Sequence, residues 1–323
     1  MNRNAILSSA LAGMVTLSYA QTGPAQPVIE SGNGSQKVVV VTGARFAYDL
    51  VERWIDAYHE DNPGIQIVVE SRGSADPPKF DVLAEVYEHD EALKGSREYI
   101  YVGRYAVLPV AHQASPLART YAEKGLNADA IKQIFFHDIF NTSSKQKAID
   151  EPYTVYTRLQ KAGVPMVFAE HFGYEQKDLK GTSIAGADSH LLRAILRDTT
   201  GVTYLPLSLI YDRHTRTPVP GAVVLPVDLN GNKKVSDDEK FFGDLDHVIE
   251  TLEAQDPGKI RNIPVNYLHL SVDKHQASAA AIDFMNWVNE HGHQYLREFG
   301  YLQPEGKHAG KEKFRAFASR RKG

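Results

Sequence analysis

KVVVVTGARFAYDLVERWIDAYHEDNPGIQIVVESRG, residues 37–73, is the stretch that decides the fold of this chain. Residues 38–41 are four consecutive valines, an apolar run typical of a strand buried on both faces of an α/β sheet. Apolar residues then recur at i, i+3 and i+4 over residues 47–58, which predicts a helix that packs on that sheet. Because proline cannot continue a helix, residues 62–64 (Asn-Pro-Gly) end it, and residues 65–69 supply the next strand. The stretch therefore predicts a strand–helix–strand unit with parallel strands.

The turn between the first strand and the helix is a candidate anion site. Backbone N–H groups at a helix start have no partner inside the helix and lie at the positive end of its dipole. Arg45 lies in this turn, directly before Phe46, and adds a guanidinium group. We therefore expect an anion to bind where the strand ends and the helix begins.

The amino terminus has the features of a secretory signal. Arg3 is followed by an apolar segment at residues 5–17, and Ser18-Tyr19-Ala20 has the small-x-small pattern of a cleavage site. A linker rich in Gly, Pro, Ser and Gln follows at residues 21–36. The sequence predicts removal of residues 1–20 and a soluble protein in the periplasm or secreted.

The composition excludes several classes of protein. The 323 residues contain no cysteine, which removes disulfides, thiol catalysis, thiolate metal sites and an amino-terminal lipid anchor. The net charge is −4, although the tail at residues 306–323 is strongly basic, so the remainder is acidic and a nucleic-acid partner is not expected. The motifs G-x-S-x-G, H-E-x-x-H and the P-loop are absent from the sequence, so the protein is predicted not to be an enzyme.

Strands and helices alternate along the rest of the chain, which predicts an α/β protein with mainly parallel sheets. Residues 154–158 are predicted to form a strand that ends at Arg158. Asn127 and Asp188 are predicted to cap two short helices, and residues 277–299 one long helix.

Four groups of segments carry a resemblance to a known family. They are TGARFAYDLVERW with NPGIQIVVESRGS, RYAVLPVAHQASPLA with IKQIFF, GVTYLPLSLIYD, and IPVNYLHLSVDKHQASAAAIDFMNWVNEHGHQYLREFGYL. On these segments the chain resembles the type II periplasmic binding proteins of the phosphate-binding type, which deliver a solute to an ABC permease in the inner membrane.

The resemblance implies two lobes around a central ligand cleft. Lobe 1 would comprise residues 37–108 and 264–305, and lobe 2 residues 109–263. Two chain crossings, at residues 105–110 and 262–268, would join the lobes. It also implies a monomer that binds a small inorganic or phosphorylated anion, with phosphate the expected ligand, and that has no organic cofactor.

The resemblance assigns ligand contacts to three segments. In the first, Phe46 matches the family pattern and Arg45 replaces a threonine. In the second, the family's serine corresponds to Ser71 or Ser74. The family's proton-accepting carboxylate would be Glu88 or Asp90.

The third segment of the family has the pattern Arg-x-x-x-Ser-Gly-Thr. Arg158 and Gly163 match it, whereas Ala162 and Val164 replace the two hydroxyl residues. Arginine pairs bidentately with phosphate or carboxylate, so the cleft is still expected to favour an oxyanion. The loss of the hydroxyls also favours an alternative, an exported scaffold or adhesion protein that kept the fold without tight phosphate binding; a hydrolase is the weakest alternative.

Residues 228–239, DLNGNKKVSDDE, have the ligand spacing of a calcium loop. Such a loop places oxygen ligands at positions 1, 3, 5 and 12 and a backbone carbonyl at position 7. Position 6 is Lys233, where the motif has a glycine, so a polar hairpin tip around Asn230-Gly231 is the alternative. The spacing predicts a structural Ca²⁺ bound by Asp228, Asn230, Asn232, Lys234 and Glu239.

Overall fold

The computed structural model describes residues 38–70, 80–87, 95–137, 149–232, 234–256 and 260–305. The predicted signal, linker and basic tail lie outside the described residues, as do Ser71, Ser74, Glu88 and Asp90. The strands are β1 Val39–Gly43, β2 Ile67–Val69, β3 Val82–Glu85, β4 Arg97–His112, β5 Thr154–Arg158, β6 Thr182–Ile184, β7 Gly201–Pro206, β8 Ala222–Val224 and β9 Val265–Asp273. The α-helices are α1 Tyr48–Asp61, α2 Pro116–Lys124, α3 Ala128–Phe135, α4 Gly163–His171, α5 Ser189–Ile195, α6 Leu207–Ile210, α7 Leu245–Ala254 and α8 Ala279–His291.

The strands pair in the order β2-β1-β3-β9-β4-β7-β5-β6, and β8 pairs with β4 beside this path. Parallel pairs lie toward both ends of the order, β2 with β1 and β1 with β3 on one side, β7 with β5 and β5 with β6 on the other. The middle is antiparallel, because β4 and β9 run against their neighbours. The predicted α/β class is confirmed, with a mixed sheet in place of a mainly parallel one.

Strand β4 belongs to both halves of this sheet. It pairs with β9 from Arg97 to Ala106 and with β7 from Val107 to Ala111. We call β2, β1, β3 and β9 the first half and β7, β5 and β6 the second half. The change of partner falls within the predicted crossing at residues 105–110. The lobe boundaries themselves remain predictions.

Helix α1 packs through the apolar stripe that the sequence predicts. Its buried residues are Leu50, Val51, Trp54, Ile55, Ala57 and Tyr58. The Tyr58 ring meets the rings of Phe284 and Trp287 on α8 edge-on, at centroid distances of 5.4 and 5.9 Å. Burial of large aromatic side chains contributes most of the stabilisation of such a contact, so α1 and α8 are held together as one layer.

The prediction of a single helix over residues 277–299 is wrong. Helix α8 ends at His291 and is followed by two 3-10 turns, Gly292–Tyr295 and Arg297–Phe299. The cause is a tertiary hydrogen bond: Trp54 Nε1 donates to the carbonyl oxygen of Gly292 at 2.9 Å. A Cβ atom at Gly292 would lie 2.9 Å from that nitrogen, so only glycine lets the indole approach the backbone here.

The carboxyl end of β1 is shaped by Gly43. Its φ is +143°, and a Cβ atom would collide with the carbonyl oxygen of Ala84 on β3. The next N–H group, of Ala44, donates to that same oxygen at 2.8 Å. This close approach directs the chain into the 3-10 turn Arg45–Ala47, which leads into α1.

Candidate functional site

A cavity of about 840 Å³ lies at the carboxyl ends of β1, β3 and β5. This is the edge of an open α/β sheet at which ligands ordinarily bind. The wall from the first half comprises Gly43, Ala44, Arg45, Phe46, Glu85, Val86 and Tyr87, and the wall from the second half Arg158, Gln160, Lys161, Ala162, Gly163, Val164, Met166, Gly186, Ala187 and Asp188. Four predicted ligand residues, Arg45, Phe46, Arg158 and Gly163, therefore line one cavity, and their role in binding remains a prediction.

Arg45 is an exposed arginine on the first wall. It begins the 3-10 turn that follows β1, after an extended Ala44 at the cap position. Within the described part of the chain, its guanidinium makes no hydrogen bond or ion pair. The charge of Arg45 is therefore available to a ligand.

Phe46 is held rigidly beside Arg45. Its side chain is buried, and its ring centroid lies 5.4 Å from that of Tyr105 and 6.3 Å from that of Tyr301. The Tyr301 hydroxyl donates to the carbonyl oxygen of Phe46 at 3.1 Å. Burial raises the pKa of the Tyr301 hydroxyl above its usual range, so it stays a neutral donor at physiological pH. These contacts fix the backbone on which Arg45 is placed.

Arg158, on the opposite wall, is already paired. Its Nη1 donates to Oδ1 of Asp188 at 2.9 Å, and the two side chains are only 11% and 10% exposed. Burial raises the pKa of the Asp188 carboxyl, and the nearby Arg158 charge opposes that rise. The guanidinium of Arg158 is thus neutralised by a carboxylate of the protein.

Asp188 does not cap α5 as the sequence predicts. It occupies the residue before the helix, but its side chain makes no capping hydrogen bond and instead pairs with Arg158. An ion pair to a buried guanidinium compensates a larger desolvation cost than a single capping bond would. The prediction is wrong because the partner lies thirty positions away in the sequence.

Helix α4 begins at the second wall with no side-chain cap. Ala162 precedes it, and the N–H of Ala162 donates to Oε1 of Gln176 at 3.1 Å. A Cβ atom at Gly163 would lie 2.5 Å from Cγ2 of Val86 and 3.3 Å from Cβ of Tyr87. The glycine therefore lets the start of α4 pack directly on the segment that leaves β3.

Sequence reasoning missed two more charged residues of the cavity, Glu85 and Lys161. Glu85 ends β3, is 6% exposed, and its Oε2 lies 4.0 Å from Nε2 of the buried His269 on β9. An acidic residue at the end of the short apolar strand VLAE was a signal that could have found it. Lys161 is an exposed loop residue with no comparable signal.

The predicted calcium loop is folded around Glu239. Its Oε1 accepts the N–H groups of Leu229 and Asn230 at 3.0 and 3.4 Å, and its Oε2 accepts the N–H and hydroxyl of Ser236 at 2.9 and 2.8 Å. Asp228 Oδ1 accepts the N–H groups of Gly231 and Asn232 at 2.8 and 3.2 Å. To bind Glu239, a calcium ion would have to displace the N–H and hydroxyl groups that donate to its carboxylate. Binding of Ca²⁺ by this loop remains a prediction.

Two general properties of the described ranges bear on function. Within them, no three His, Cys, Asp or Glu side chains are grouped so that they could hold a metal ion. Over the same ranges, no helix has the length and apolar character needed to cross a membrane.

Comparison with known proteins identifies the fold. No family model matches the sequence, and no curated protein matches it significantly. A Clostridium perfringens protein described as a phosphate ABC transporter substrate-binding protein, solved with bound phosphate, is similar at a TM-score of 0.56 and 12% identity, over 83% of this chain and 100% of that one.

Two further structures have similar folds. An ABC-type phosphate transport receptor from Vibrio cholerae gives a TM-score of 0.50 at 13% identity, over 82% of this chain and 100% of that one. A full-length BenM mutant gives a TM-score of 0.51 at 10% identity, over 85% of this chain and 73% of that one. The chain has the fold of the type II periplasmic binding proteins, as the sequence predicted.

Proposed function

We propose that this protein is an extracytoplasmic solute-binding protein that captures an oxyanion in the cavity between Arg45 and Arg158. The observation that carries the proposal is the position of Arg45, a guanidinium without a described partner at the carboxyl end of a parallel strand, where ligands bind in this class of sheet. Its planar donor fork matches the oxygens of a phosphate or carboxylate.

The electrostatics of the cavity support a ligand of negative charge. Arg158 and Asp188 neutralise each other, which leaves Arg45 and Lys161 against Glu85. The start of α4, which has no side-chain cap, adds the partial positive charge of its backbone N–H groups. The balance is positive, so an oxyanion would be attracted from solution.

Delivery to an ABC permease is the physiological role we propose. The ligand would be held between the two halves of the sheet, and release would require these halves to separate about the shared strand β4. The predicted signal at residues 1–20 would export the protein, which would act as a monomer and not as an enzyme. The sequence predicts phosphate or a related tetrahedral anion, and such an ion should bind more weakly here than at a site with hydroxyls in place of Ala162 and Val164.

A thermal-shift screen tests the proposal. Ligand-stripped protein is heated with phosphate, sulfate, arsenate, phosphonates and carboxylates, since a ligand that binds only the folded state raises its melting temperature. We expect at least one oxyanion to stabilise the protein. If none does so below about 1 mM, binding has been lost and the exported-scaffold alternative, which the internal Arg158–Asp188 pair favours, replaces the transport proposal.

A further inference from the structure

We propose that the oxyanion is the head group of an organic molecule, a carboxylate or phosphonate with a non-polar body, and that inorganic phosphate is the weaker ligand. This inference rests on the proposed function and specifies the substrate class of the same cavity. It follows from the volume of the cavity and from the non-polar part of its lining.

The volume exceeds what a tetrahedral ion needs. Cavities of about 300–1,000 Å³ ordinarily hold drug-sized organic ligands. The cavity between the two walls measures about 840 Å³ and lies at the upper part of that range. A phosphate ion bound by Arg45 would leave most of this space to water.

The large volume of the cavity does not arise because its two walls stand apart. The hydroxyl of Tyr87, on the first wall, donates to Oε1 of Glu170 on α4 at 2.8 Å. Gly163 approaches Val86 so closely that a Cβ atom would lie 2.5 Å from its side chain. The two walls already touch, so the cavity remains large while the halves are in contact.

Part of the cavity lining is non-polar. On the second wall Ala162, Val164 and Met166 lie beside the polar Arg158, Gln160 and Lys161, and Phe46 and Val86 face the cavity from the first wall. The five non-polar side chains cannot donate a hydrogen bond, so phosphate oxygens turned toward them would lose hydration without compensation. The non-polar body of an organic acid has no hydrogen bonds with water to lose there, and its burial contributes favourable binding free energy.

Calorimetry with paired ligands tests the inference. Ligand-stripped protein is titrated with acetate and benzoate, with methylphosphonate and phenylphosphonate, and with inorganic phosphate. Burial of non-polar atoms strengthens binding roughly fourfold for each methylene equivalent, so we expect the phenyl member of at least one pair to bind at least about tenfold more tightly than its methyl member and than phosphate. If phosphate binds most tightly, or if the phenyl group gives no gain in either pair, the inference is overturned and anion capture stands. If none of the five binds, the inference is overturned, and the proposed function also fails when the thermal-shift screen finds no oxyanion.

Met166 provides a variant that separates the body from the head group. We expect Met166→Gln to lower the affinity for the preferred phenyl ligand severalfold and to leave that for its methyl counterpart within twofold. Met166→Leu, which keeps a non-polar side chain of similar volume, should restore the preference. Circular dichroism and melting curves verify that both variants fold. Equal losses for the phenyl and methyl ligands in Met166→Gln would show that the wall does not contact an organic body and would overturn the inference.

Discussion

The buried ion pair between Arg158 and Asp188 leads to a prediction that concerns both the stability of the protein and its binding of anions. The two side chains are 11% and 10% exposed and share a 2.9 Å hydrogen bond. Asp188→Asn keeps the shape of the side chain and removes its charge, which leaves a buried guanidinium without a counter-ion. Removal of one partner from a buried pair costs about 3–5 kcal/mol, so we expect the unfolding free energy of the ligand-free protein to fall by about that amount.

The same substitution should strengthen anion binding. Arg158 would then be free to bind the ligand, and a hydrogen bond to a charged partner contributes about 1.5–3 kcal/mol. The affinity for the preferred oxyanion should rise about ten- to a hundredfold, and a saturating concentration should recover part of the lost stability. Urea unfolding with and without the anion, together with calorimetric titration, measures both effects. Unchanged or weaker anion binding by Asp188→Asn would refute the view that Arg158 is a ligand residue held by its partner.

Three further predictions concern other parts of the chain. Calorimetry should detect Ca²⁺ binding to the wild type at or below millimolar concentration, with Glu239→Ala abolishing it; no heat of binding in the wild type would leave Glu239 as the anchor of a polar hairpin tip. Tyr87→Phe removes the contact with Glu170 across the cavity and should weaken binding of the preferred oxyanion about two- to tenfold, and an unchanged affinity would show that this contact does not stabilise the bound state. Mass spectrometry of the exported protein should find Gln21 at the amino terminus, whereas an intact Met1 would contradict the signal assignment.

Local patterns predict much of the fold. Strand β5 occupies the predicted residues 154–158, and Asn127 caps α3 by accepting the N–H of Ala130 at 2.9 Å. These features depend on short-range periodicity and capping chemistry, which the sequence records directly. The end of α8 was missed because it depends on Trp54, which lies far away in the chain.

The candidate site is less readily predicted than the fold. Arg45 and Phe46 could be identified because the strand-to-helix turn that carries them is itself a sequence pattern. The pairing of Arg158 with Asp188 could not, because only the packing of β5 beside the start of α5 brings the two residues together. The charge of the cavity is therefore a tertiary property.

Titration of the preferred oxyanion into wild-type protein and Arg45→Ala tests the central claim most directly. Arg119→Ala is the matched control, since Arg119 is an exposed arginine on α2 that does not line the cavity. We expect Arg45→Ala to bind about ten- to a hundredfold more weakly than the wild type, with Arg119→Ala unchanged. Equal affinities for the wild type and Arg45→Ala would contradict the claim that the oxyanion binds in this cavity.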